Sequence, residues 1–313
     1  MRFRAQEPGI ELGGPWSFAF GDRRIPGTIS SIDEIRDAGL TVYKATVPGN
    51  FELDLLANGL IEEPFFGTNI LDLRRYENSY VYYFRTFVAP EEPDATPYLV
   101  FEGIDCFADI LLNGRVVHQS DNMLVEQHVP VGASLRAGQQ NFLCVVLQPA
   151  MERARLMRHE YPPGLTAEGS GYESLHVRKA PHMYGWNIMP RALSAGLWRP
   201  VALRYVPTER LDWVWLETEE ISPDHDAARL AFHYQTTPTS DQDATYELLI
   251  SGACGESRFE KRIRLLFDAG CERFRIASPQ LLWPRGRGGA NLYEVDVQLI
   301  KNGSVLDAMR LTH

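Results

Sequence analysis

The sequence predicts an all-β protein made of two successive antiparallel sandwiches. The larger, of the jelly-roll kind, is expected over residues 1–206, and a smaller immunoglobulin-like one over residues 207–313. Three observations carry this reading. Short runs rich in aromatic and β-branched residues recur along the chain, bounded by turn residues. After Pro207 the same texture repeats on a smaller scale. Strand–helix alternation persists nowhere, which excludes a (β/α)8 barrel, a fold that needs about 250 residues of such alternation.

The strongest strand signal is Val81-Tyr-Tyr-Phe-Arg-Thr-Phe-Val88. Tyr98–Glu102 and Ala108–Leu112 follow, and the second runs into Asn113-Gly114, a dipeptide that tolerates φ > 0 at both positions and so predicts a hairpin. Asn141–Leu147 and Trp198–Tyr205 continue the series. One helix is expected, with Asn50 capping its start, Gly59 ending it, and Phe51, Leu55 and Leu56 on one face. In the second domain, residues 211–216, 228–235, 245–250, 259–267, 272–276, 292–300 and 305–311 read as strands. Lys301-Asn-Gly-Ser304 predicts a second hairpin; it also matches a glycosylation acceptor, but the turn reading is preferred. Trp213 and Trp215 alternate with Val214, so they share one face of a strand and are expected to pack in a core or between domains.

The 313 residues carry a formal net charge of −10, with 44% hydrophobic and 23% charged residues. That charge disfavours nucleic acid and anionic membrane as partners, whereas a neutral sugar is indifferent to it. No run approaches the roughly 20 apolar residues that span a membrane. The N-terminus carries no apolar stretch of the signal-peptide kind, which makes a cytoplasmic location the expectation. Cys106, Cys144, Cys254 and Cys271 lie far apart without CxxC spacing, as expected of buried thiols rather than of a zinc site or a disulfide framework. His176 and His182 are six apart, which is no compact ligand spacing; no metal and no cofactor is expected.

Several segments together resemble glycoside hydrolase family 2, and most closely its β-mannosidases. Trp16–Phe20 resembles the opening strand of that family's sugar-binding domain. Val47-Pro-Gly49, Asp54-Leu55, Gly59-Leu-Ile61 and Pro64-Phe65 resemble its early signature. Phe101–Asp105, Ala108-Asp109, Leu112–Gly114 and Asp121–Met123 resemble its central hairpin. Arg178-Lys-Ala-Pro-His-Met-Tyr-Gly-Trp186, with Pro190-Arg191 and Gly196–Pro200, is the most specific match, and Leu282-Trp-Pro284, Gly286 and Leu292-Tyr293 resemble the family's immunoglobulin-like segment.

The resemblance implies retaining hydrolysis of O-glycosyl bonds by two glutamates carried on a third, barrel domain. That chemistry needs a protonated carboxyl and a carboxylate about 5 Å apart. The chain stops at His313, about where such a protein would enter the barrel, so it is expected to be a non-catalytic part that acts with a barrel partner. Glu102, Asp105 and Asp109 are expected to be surface or hydrogen-bonded structural groups, and no catalytic residue is assigned.

The resemblance also implies that the loop around Trp186 touches a β-linked glycoside or oligosaccharide. Where the family has Gly-Trp-Asp-Trp-Gly-Pro-Arg, this chain reads Gly185-Trp-Asn-Ile-Met-Pro-Arg191. Trp186 offers a flat wall for a pyranose ring, or alternatively packs between domains. Asn187 replaces a carboxylate with an amide, which exchanges charge-assisted for neutral hydrogen bonds. Arg178, His182 and Tyr184 lie on the same segment and complete the candidate site, while Arg178 and Lys179 are expected chiefly to brace it. Two other functions stand beside the hydrolase reading: a free-standing carbohydrate-binding protein and a purely structural module. A stand-alone binder needs several aromatics on one solvent face, and the alternation pattern reveals no such row.

Overall fold

The computed structural model describes residues 9–91, 95–157, 173–175, 177–237 and 244–313. The chain is all-β and divides into two compact units, one reaching Val206 and the other running from Pro207 to His313.

The first unit holds ten strands: β1 (Gly9–Glu11), β2 (Gly14–Gly21), β3 (Tyr43–Val47), β4 (Tyr80–Val88), β5 (Ala95–Phe101), β6 (Ala108–Leu112), β7 (Arg115–Ser120), β8 (Gln127–Pro130), β9 (Gln140–Leu147) and β10 (Val201–Pro207). They form a six-stranded sheet, β3-β2-β4-β9-β6-β7, and a four-stranded sheet, β1-β10-β5-β8. The main core includes Phe18, Tyr83, Ile110 and Val145 of the first sheet and Leu99, Phe101, Val129 and Leu203 of the second.

The outer face of the six-stranded sheet is covered as well. Tyr82, Phe84, Leu111, Phe142, Cys144 and Val146 pack beneath Ile29 and Ile35, the latter on the short helix α1 (Ile32–Asp37). Both faces of β4 and β9 are therefore buried, which is why their sequences run apolar without alternation. A carboxylate on this face needs partners, and Asp109 has them. It accepts from Gln119 and Gln148 and pairs with Arg24.

Helix α2 (Phe51–Ala57) forms where expected, and the Asn50 side chain accepts a hydrogen bond from the Leu53 amide at 3.0 Å. A further helix, α3 (Ala150–Leu156), follows β9. Asn113-Gly114 turns β6 into β7, and both residues adopt positive φ.

The second unit contributes β11 (Arg210–Ile221), β12 (Ala227–Thr237), β13 (Tyr246–Cys254), β14 (Ser257–Arg264), β15 (Ala269–Ala277), β16 (Glu294–Lys301) and β17 (Ser304–Thr312). Three strands pair as β11-β12-β15 and four as β14-β13-β16-β17, the layers of an immunoglobulin-like sandwich. Its core is built on Leu216, Phe232, Leu248, Val297 and Leu299. Asn302-Gly303 makes the β16–β17 turn with both residues at positive φ.

Two expectations are corrected here. A bulge between Leu211 and Trp213 shifts the parity of β11, so Leu211, Val214 and Leu216 face the core while Trp213 and Trp215 stand on the outer face, 43% and 61% exposed. The cysteines are not uniformly buried either. Cys106 and Cys144 are, with burial pushing the Cys106 thiol up to about 12, but Cys271 is exposed on β15. No described helix is long and apolar enough to cross a membrane.

Candidate functional site

The segment from Val177 to Trp198 builds a loop whose base is fixed by buried charge and whose tip is bare. At the base, the Arg178 carbonyl accepts from the Met123 amide at 3.0 Å, which fixes the backbone while leaving the Arg178 side chain exposed. The next residue turns inward. Lys179 is buried, and its Nζ donates to both oxygens of Asp105 at 2.6 Å and to the Ser194 carbonyl at 2.5 Å. Burial raises the Asp105 carboxyl while the Lys179 ammonium pulls it back. Asp105 also exchanges two backbone hydrogen bonds with Gly196, which closes the base of the loop. Gly196 is required there, because a Cβ at that position would meet the Gly49 carbonyl oxygen at 2.7 Å.

Two further contacts brace the sides. Arg191 donates through Nε and Nη2 to the two oxygens of Glu77, each at 2.7 Å, a bidentate pair that holds the guanidinium firmly charged. Ser194 Oγ donates at 2.6 Å to Glu52, whose carboxyl is pushed up chiefly by desolvation. Beneath the loop, Tyr184 is completely buried beside Cys106, Phe107 and Met151. The Arg191 guanidinium lies over its ring, 5.7 Å from the centroid.

The tip follows a single turn of 3-10 helix (Pro181–Tyr184) and Gly185, which takes φ 100°. Trp186 and Met189 then exchange backbone hydrogen bonds at 2.9 and 3.1 Å. This tight turn leaves Trp186 58% and Ile188 82% exposed, with Asn187 and Met189 exposed beside them.

Of the five predicted site residues, Trp186, Asn187, Arg178 and His182 present side chains to solvent. Tyr184 does not: it supports the loop from below, and its hydroxyl has no hydrogen-bond partner among the described residues. His176 lies outside the described residues.

The bracing groups Glu52, Glu77 and Ser194 were not legible beforehand. Phe65 and Phe66 were also missed as surface features. They stand 88% and 75% exposed on the loop preceding the 3-10 helix Asn69–Tyr76, which leads to Glu77. Asp105, Glu52 and Glu77 each hold a cation or a hydroxyl in place, so none of them is a free acid or base. The chemistry this surface offers is recognition: an indole face to stack on, an amide to donate and accept, and an apolar rim.

A family model described as glycosyl hydrolase 2 galactose-binding domain-like matches residues 28–199. The chain belongs to glycoside hydrolase family 2. Among similar proteins, the β-mannosidase B of Emericella nidulans is 33% identical over 276 residues, covering 86% of this chain and 32% of that protein. The β-mannosidase B of Aspergillus flavus is 30% identical over 292 residues, covering 93% and 33% respectively. This chain thus spans about a third of the length of the curated relatives it matches. Among solved structures, the β-D-mannosidase of Dictyoglomus thermophilum matches with a TM-score of 0.79 at 27% identity, over 97% of this chain and 36% of that one. The β-glucuronidase of Bifidobacterium dentium, at 20% identity and a TM-score of 0.62, shares the fold.

Proposed function

We propose that this chain is the non-catalytic N-terminal portion of a β-mannosidase-type family 2 hydrolase, and that it presents the Trp186 loop to the sugar bound by a partnering barrel domain. The observation that carries this reading is the contrast within the loop: a base held by the Lys179–Asp105 and Arg191–Glu77 pairs, and a tip that exposes Trp186 and Asn187. A loop backbone held in place before substrate arrives has less ordering left to lose on binding it. The likeness to β-mannosidases along most of the chain supports the substrate class, a β-linked glycoside.

The barrel would supply the acid/base and nucleophile carboxyls; this chain would orient the sugar and shield one side of the pocket from water. The test is to read the gene downstream of His313, express the full product and assay it on aryl β-mannoside and related β-glycosides. Turnover that falls by about 10–100-fold in Trp186→Ala, with the fold intact, is the expected result. A reading frame that ends at His313, or turnover indifferent to Trp186, overturns the proposal.

A further inference from the structure

The outer face of the β11-β12-β15 sheet is a second surface with the chemistry of carbohydrate recognition. The register sets its rows. Trp213 lies opposite Gln235, Trp215 opposite His233, and His233 opposite Cys271; Glu217 lies opposite Ala231, and Ala231 opposite Arg273. Trp213 and Trp215 are two residues apart on one strand, so their Cα atoms are separated by about 6.7 Å on the same face. The Trp213 indole is held in place, because its Nε1–H donates to Gln235 Oε1 at 2.7 Å.

We propose that this face binds a neutral oligosaccharide, with Trp213 and Trp215 as the stacking platform and Gln235 and His233 as the flanking hydrogen-bonding groups.

Charge and area select this occupant over others. Acidic and basic groups alternate on the face: Glu219 takes both Arg229 and Arg273, Glu220 takes Arg229, Arg275 stands 4.0 Å from Asp226, and Glu217 lies 3.3 Å from the His233 ring. The face is therefore of mixed sign and offers an acidic or basic partner no single-signed patch, whereas a polyol needs none. The apolar area is two partly covered indoles, on the order of 200 Å2 given 150–250 Å2 per aromatic side chain. A stable protein interface buries roughly 800 Å2 per partner, a little over half of it apolar, so two indoles supply less than half of that apolar share. Their area suits the flat C–H face of a sugar ring or two.

The 313-residue chain is to be titrated with manno-, gluco- and xylo-oligosaccharides of four to six units, followed by tryptophan fluorescence. A second readout is the rate of Cys271 alkylation by iodoacetamide, since Cys271 lies two strands from Trp215, about 10 Å away, where a bound oligosaccharide reaches over it. Expected are saturable binding by at least one series, slower labelling of Cys271 when it is bound, and affinity lowered at least fivefold in Trp213→Ala and in Trp215→Ala. Trp186→Ala should leave this binding unchanged, which separates it from the loop. Binding that survives both β11 substitutions, binding abolished by Trp186→Ala alone, or no binding to any series overturns the proposal. So does concentration-dependent self-association that is lost in Trp215→Ala, which would make the face a contact between copies.

Discussion

Lys179 and Asp105 illustrate what a single side chain does in this fold. A buried cation that loses its carboxylate, or the reverse, leaves an unpaired charge out of water. Lys179→Met should therefore destabilise the first unit by about 3–5 kcal/mol, measured by urea unfolding, and a second substitution, Asp105→Leu, should recover much of that loss. Glu52 makes a pH-dependent contribution of the opposite kind. Its folded-state pKa lies above the unfolded value because its carboxyl is desolvated. The native state then holds the extra proton between the two values, so stability falls as pH rises from about 4.3, the unfolded reference, through the raised folded value. Glu52→Gln should flatten stability over that window. On the function proposed above, Asn187→Asp should lower the KM of the full-length gene product for aryl β-mannoside by about tenfold, because charged acceptors bond roughly twice as strongly as neutral ones. An unchanged KM would place residue 187 away from the sugar. Trp186 was legible as a candidate because its motif is local. Lys179 was expected to brace the loop, but the partners of the braces were not legible, since Lys179, Arg191 and Ser194 find theirs 74, 114 and 142 residues away in the chain.

Among the elements, those written in local chemistry were the legible ones. Asn50 caps α2, and the two Asn-Gly pairs turn their hairpins, because cap and turn geometry depend on neighbours in sequence. The β11 strand was misjudged for the converse reason. Its alternation places Leu211 with Trp213 and Trp215, and only the bulge, an event of pairing with β12, moves Leu211 inward and leaves both indoles outside. Gly196 is another element whose role depends on what crosses it. Gly196→Ala drives a methyl group into the Gly49 carbonyl and the Asn50 Cα. A loss of about 3 kcal/mol is expected by thermal unfolding, of the size that backbone strain and overpacking produce, together with a disturbed start of α2.

For the molecule as a whole, each unit encloses a core drawn from its own strands. Residues 207–313 expressed alone should unfold in one cooperative transition, with dispersed amide resonances in the native state; a collapsed, undispersed spectrum would show that the sandwich depends on the rest of the chain. The two-sandwich layout was readable from strand spacing. The extra layer over the six-stranded sheet was not, because residues 25–42 look like an ordinary connection until their isoleucines are seen to lie on a sheet face.

That layer has a consequence in time. Strands β4 and β9 sit at the centre of the six-stranded sheet, hydrogen-bonded on both edges and covered on both faces. Their amides have no local route to solvent, so they can exchange with deuterium only through the largest opening the first unit undergoes. Val81–Phe84 and Leu143–Val146 should form its slowest-exchanging kernel, a clock whose rate reports the stability of the platform from which the Trp186 loop projects.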